Sequence, residues 1–183
     1  INSGTDPADF VSIGAGNKVS GATTVINTPQ LTTGAGSSIK ATTGDLTVAS
    51  NSKTDSLSVS LGANSTLSSP GNVNFNNPGA ATEGPINIVG AAGSVIQATD
   101  INYNVGPNSL GVNVGQLIGC NDINTSTGNP TSVSFTTQVG VINFCKDINT
   151  SNTNGNGGPI TITANGGGVN LGGGNVNANG GGA

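Results

Sequence analysis

Apolar and polar residues alternate along this chain in short runs. Leu57-Ser58-Val59-Ser60-Leu61 shows the pattern most cleanly, and Phe10-Val11-Ser12-Ile13, Leu46-Thr47-Val48, Val73-Asn74-Phe75, Ile86-Asn87-Ile88 and Ile101-Asn102-Tyr103 repeat it. Further on come Leu110-Gly111-Val112-Asn113-Val114, Val133-Ser134-Phe135, Ile142-Asn143-Phe144, Ile160-Thr161-Ile162 and Val169-Asn170-Leu171. A period of two places the apolar residues of each run on one face of a β-strand. The helical spacing i, i+3, i+4, i+7 never runs without interruption by Gly, Pro or β-branched residues. The pattern predicts an all-β chain.

Between the runs stand turn formers such as Gly14-Ala15-Gly16-Asn17, Gly34-Ala35-Gly36-Ser37, Ser69-Pro70-Gly71-Asn72 and Gly128-Asn129-Pro130. Gly and Asn supply the positive φ that sharp corners need. One series of strand starts, near Val25, Leu46, Leu67, Ile86, Leu110, Val133 and Ile160, advances in nearly even steps. A second series near Leu57, Val73, Val95, Leu117, Ile142 and Val169 drifts by similar amounts. A sandwich has no reason to keep such a beat. A β-solenoid does, and the spacing predicts about seven coils of roughly 20–27 residues, two or three strands each, in a rod roughly 35 Å long at about 4.8 Å per coil. The echo of Gly84-Pro85-Ile86-Asn87-Ile88 in Gly158-Pro159-Ile160-Thr161-Ile162 is read as a return after three coils.

The closest internal repeat pairs Cys120-Asn121-Asp122-Ile123-Asn124-Thr125-Ser126 with Cys145-Lys146-Asp147-Ile148-Asn149-Thr150-Ser151, an offset of one expected coil. If one copy is one coil, Ile123 stacks on Ile148 and Asp122 on Asp147. Cys120 and Cys145 then lie about 4.8 Å apart, within disulfide reach.

Composition narrows the picture. The 183 residues include 31 Gly and 27 Asn, carry 7% charged residues and 3% aromatics, and contain no His, Trp, Met or Arg. Such a chain cannot build a thick core of large side chains; a thin solenoid lined by Val, Ile and Leu suits it. A net charge of −4 with four scattered lysines excludes nucleic acid as an expected partner, because phosphate contacts need clustered Lys or Arg. No apolar run reaches membrane-spanning length, so no membrane insertion is expected. Residues 1–183 read as a single domain, a segment of a longer chain, with residues 166–183 as a Gly-rich final coil or connector. Open solenoid ends, bearing unpaired strand edges, predict self-association end to end or with further coils.

The stretch Asp147-Ile148-Asn149-Thr150-Ser151, then Gly157-Gly158-Pro159-Ile160-Thr161-Ile162-Thr163-Ala164-Asn165-Gly166, then Gly172-Gly173-Gly174-Asn175-Val176-Asn177-Ala178, resembles the repeats of filamentous-haemagglutinin-type bacterial surface proteins. The resemblance is strongest from Cys120 onward. It implies a right-handed parallel β-helix, secretion to the bacterial cell surface, and structural or adhesive work there. Surface glycans are the partners such a role suggests. No Arg-Gly-Asp motif is present, so no particular binding activity carries over.

Candidate chemistry is sparse. Glycan-cleaving β-helices need clustered carboxylates, whereas this chain has one glutamate, Glu83, and seven aspartates. The close pairs are Asp6 with Asp9 and, through the repeat, Asp122 with Asp147. Stacked carboxylates repel unless solvated or bridged by a cation; for Asp122 over Asp147 a solvated corner with an Asx-type turn is the simpler reading. The Gly-rich tail lacks the aspartates of calcium-binding nonapeptides and the Gly-Lys-Ser/Thr of a phosphate loop. No catalytic residue, metal or cofactor is expected. An ice-binding face would need Thr-x-Thr stacked on successive coils, and only Thr125-Ser126-Thr127 and Thr161-Ile162-Thr163 have that form. A glycan-binding or glycan-cleaving solenoid is the other alternative to a structural rod.

Overall fold

The computed structural model describes residues 1–51, 56–77, 86–91, 93–105, 111–114, 123–124, 132–137, 141–144, 148–149, 159–164, 168–171 and 175–180. Among these the protein is all-β, built from short strands that each contribute to one of three parallel faces. The first face stacks β1 (Phe10–Ile13), β4 (Gln30–Thr33), β7 (Leu57–Leu61), β10 (Ile86–Gly90), β13 (Gly111–Val114), β16 (Val141–Phe144) and β19 (Val169–Leu171). The second stacks β2 (Lys18–Gly21), β5 (Ser38–Ala41), β8 (Thr66–Ser68), β11 (Ser94–Gln97) and β14 (Ile123–Asn124). The third stacks β3 (Thr24–Asn27), β6 (Leu46–Ala49), β9 (Asn72–Asn77), β12 (Asp100–Val105), β15 (Ser132–Thr137) and β18 (Ile160–Ala164). A separate pair joins β17 (Ile148–Asn149) to β20 (Val176–Asn177). Among the described residues each successive pairing joins a strand to the third one along the chain, broken only between β14 and β17, and that is the connectivity of a parallel β-helix. Six three-strand turns lead into a seventh, begun by β19 and β20.

The coils are longer and less even than the spacing suggested. Val11 pairs with Leu31 in a short first coil, but Leu31 reaches its next partner only at Val59, and Tyr103 only at Phe135. The sequence series ran short because it stepped between faces: Val25 and Leu46 belong to the third face, Leu67 to the second and Ile86 to the first. The Gly-Pro-Ile echo is corrected in the same way. Ile86 opens a first-face strand and Ile160 a third-face strand, so the two copies share local strand chemistry, not a vertical column.

Period-two alternation becomes burial. Val11, Leu31, Val59 and Ile88 form one buried column on the first face, and Ile39, Leu67 and Ile96 form another on the second. On the third face Ile26, Val48, Phe75 and Tyr103 lie in register, with the two rings stacked at 5.1 Å between centroids. Removing these aligned side chains from water stabilises the narrow core, and their close stacking adds dispersion. At β10 the alternation ends: Asn87 and Val89, in register with the outward Ser58 and Ser60, are buried as well.

The corner between first and second faces repeats one device. Gly14-Ala15-Gly16-Asn17, Gly34-Ala35-Gly36-Ser37, Gly62-Ala63-Asn64-Ser65 and Ala91 to Ser94 are successive turns, each closed by the fourth residue's N–H donating to the first residue's carbonyl. The third position has positive φ in every case, and Asn64 is the non-glycine that adopts it, at 55°. Asn tolerates that region better than other L residues. Ser37, Ser65 and Ser94 donate their hydroxyls back to the same carbonyls at 2.6–2.8 Å, so these buried hydroxyls are satisfied within the turn. The turns themselves stack, with Gly16 N–H donating to Ala35 and Gly36 N–H to Ala63. The backbone ladder therefore continues around the corner.

Candidate functional surface: the polar columns of the third face

With the apolar positions turned inward, function in a solenoid belongs to what the outward positions repeat. On the third face two columns of positions stand in backbone register. One runs Val25, Thr47, Asn74, Asn102, Ser134, Thr161; the other runs Asn27, Ala49, Asn76, Asn104, Thr136, Thr163. Asn2 extends the second column by one, through an isolated parallel bridge to Asn27.

The amides lock to one another along the axis. Asn102 Nδ2 donates to Asn74 Oδ1 at 2.9 Å, and Asn27 Nδ2 donates to Asn2 Oδ1 at 2.7 Å. An asparagine ladder of this kind uses one donor and one acceptor of each amide per step and keeps the rest for solvent or a ligand. Asn74 and Asn102 are half-buried by this stacking, and Thr161 is exposed. Beside the columns, Asp45 accepts from the next coil: Asn72 N–H donates to Oδ1 at 2.8 Å and Asn72 Nδ2 to Oδ2 at 3.4 Å. Where the side chains are described, Thr47, Asn74, Asn102 and Thr161 in one column and Asn27, Asn76 and Thr163 in the other are neutral donors and acceptors, at a coil spacing of about 4.8 Å and a two-residue step of about 6.6 Å, with Val25 and Ala49 as apolar members. Lys18 and Lys40 lie elsewhere, exposed on the second face.

The columns were hidden in the sequence because unequal coils scatter them. Their trace is the alternation Asn72-x-Asn74-x-Asn76, Asn102-x-Asn104, Ser132-x-Ser134-x-Thr136 and Thr161-x-Thr163. A search restricted to Thr-x-Thr finds only the last of these.

The sequence-derived site residues fare unequally. Cys120, Cys145, Asp122 and Asp147 lie outside the described residues, as do the side chains of Ile123 and Ile148. The backbones of the two isoleucines are placed: Ile123 opens β14 opposite Ser94, and Ile148 opens β17 opposite Val176. In chain order each is the middle strand of its turn, in consecutive turns. Asp6 and Asp9 are tied together in a local turn. Asp6 N–H donates to Asp9 Oδ2 and Ala8 N–H to Asp6 Oδ1, both at 2.9 Å. Among the described residues no group of three His, Cys, Asp or Glu side chains is placed to hold a metal ion. The one displaced titration among them is that of Tyr103, whose phenol is pushed well above its ordinary value by complete burial.

Comparison with known protein families, curated proteins and solved structures returns no match.

Proposed function

We propose that this chain is a non-enzymatic structural rod, a module of an exported bacterial surface protein that holds its corners and loops away from the cell for adhesive contact. The observation that carries this reading is the uninterrupted parallel ladder of the first face, β1 through β19. Inter-strand hydrogen bonds in such a stack point along the rod axis, and three faces carry them side by side. Bending or stretching the rod strains many bonds at once, and stiffness without a large core is the result. The resemblance of the C-terminal third to haemagglutinin-type repeats supplies the location.

The registered amide and hydroxyl columns favour a second reading, in which the third face binds a neutral hydroxyl-rich surface such as a glycan or ice. Two experiments separate the readings. Immunogold labelling of producing cells should place the protein on the cell exterior; label confined to the cell interior sinks the surface rod. Purified protein should neither retard ice growth nor be retained by neutral polysaccharide; either effect, lost on Asn102→Leu with Thr161→Leu, moves the function to the third face.

A further inference from the structure

We propose that Asn64 is an acceptor for an N-linked glycan, a sugar carried at the corner between the first and second faces; the inference rests on the exported-surface reading. Asn64-Ser65-Thr66 is an Asn-x-Ser/Thr triplet without proline, the pattern that places such a sugar on a surface loop of a secreted chain. The structure supplies the surface position. Asn64 is exposed, at the third place of the turn Gly62-Ala63-Asn64-Ser65. Backbone conformation alone does not account for an asparagine there. The equivalent places of the other described corners are Gly16, Gly36 and Gly93, so glycine serves the same positive φ. The next turn makes room for the larger residue: a Cβ at Gly93 would collide with the Asn64 side chain, and Oδ1 and Cγ, not Nδ2, are its atoms nearest that place. Among the described residues neither the Asn64 amide nor the Thr66 hydroxyl makes a hydrogen bond, whereas Ser37, Ser65 and Ser94 in the same corners all have theirs satisfied.

In the transfer, Nδ2 of Asn64 attacks the anomeric carbon of a phosphate-activated sugar. The N–C bond forms as the C–O bond to phosphate breaks. The phosphate leaves with the electron pair, and one amide proton passes to a base of the glycosyltransferase. The Thr66 hydroxyl is the group that such an enzyme reads two residues on. Thr66 N–H is already donated to the Ser37 carbonyl in the folded stack, and β8 is held between β5 and β11. The transfer therefore precedes closure of this coil, and the finished corner holds the sugar in solvent. The chain's two other triplets of this form, Asn124-Thr125-Ser126 and Asn149-Thr150-Ser151, begin on β14 and β17, the middle strands of their turns as β8 is of its own. None of the three begins on a third-face strand, so sugar at Asn64 leaves the polar columns clear.

Glycopeptide fragmentation by mass spectrometry, on protein isolated from its producing cells and on three variants, tests the assignment. Wild type should yield the Asn64 peptide with sugar attached at that side chain. Thr66→Val removes the hydroxyl alone and should abolish the modification, while Thr66→Ser should keep it. Asn64→Gly should abolish it too and leave the circular dichroism unchanged, since glycine already holds the same backbone at the other corners. An unmodified Asn64 in wild type, or a modification that survives Thr66→Val, overturns the assignment. Surface biotinylation of the same cells keeps the two readings apart. Unmodified Asn64 on protein labelled at the cell exterior sinks the glycan alone; protein recovered only from the cell interior sinks the exported rod and the glycan with it.

Discussion

Tyr103 is the chain's single tyrosine and, with no tryptophan present, its only strong ultraviolet reporter. It is fully buried against Phe75, and burial raises its phenol pKa above the ordinary value near 10. The folded state then holds the proton that the unfolded chain releases. Stability from this group is complete below about pH 10 and falls as pH rises further, by about 1.4 kcal/mol per pH unit. Denaturant midpoints measured from pH 9 to 12 should therefore fall more steeply in wild type than in Tyr103→Phe; parallel slopes would show an exposed phenol. The amide ladder makes a smaller claim. Asn102→Ala removes the donor to Asn74, and a double-mutant cycle on the two positions should return a coupling of about 0.5–1.5 kcal/mol. A coupling of zero would reduce the ladder to a contact without energetic weight.

Strands in this protein are too short to stand alone; each is fixed by the strands above and below it. Leu67 on β8 lies between Ile39 and Ile96, all three fully buried. Leu67→Ala should destabilise by about 2–5 kcal/mol, because the narrow core has coils on both sides that hold the cavity open. Val25→Ala on β3, an exposed outward position, should change stability by less than about 0.5 kcal/mol. Chemical denaturation of both variants checks the contrast, and equal losses would contradict the assigned facing. Alternation in the sequence was enough to foresee which residues of β7, β9 and β12 turn inward. The corners were legible too, since Gly-Ala-Gly-Asn and Gly-Ala-Gly-Ser advertise a positive φ. What escaped was the face to which each strand belongs. A short strand looks the same on every side of the prism, and only its partner tells it which side it is on.

Across the whole molecule, stability in a stacked repeat is a sum of coil terms and nearest-neighbour interfaces. A covalent link between coils therefore acts where it is placed. The repeated phrase sets Cys120 and Cys145 at the same short distance ahead of β14 and β17, the middle strands of consecutive turns. Non-reducing digestion and mass spectrometry should recover the two cysteines in one linked peptide pair. Closing a loop of about 25 residues contributes on the order of 3 kcal/mol in the chain-entropy account, so reduction should lower the denaturant midpoint. Free thiols in folded protein under oxidising conditions would remove the staple and its contribution.

The sequence by itself determined the class of structure: short strands with one apolar face, closed by Gly and Asn corners. These are local properties, readable from a residue and its near neighbours. The columns were decided by tertiary structure alone. Coil length varies widely, from the short step between Val11 and Leu31 to the long one between Tyr103 and Phe135. Register is therefore set by cross-coil hydrogen bonding and by the fit of side chains in the core, not by counting along the chain. That register brings Asn74 to Asn102 and Ser134 to Thr161, and it turns scattered polar residues into a surface.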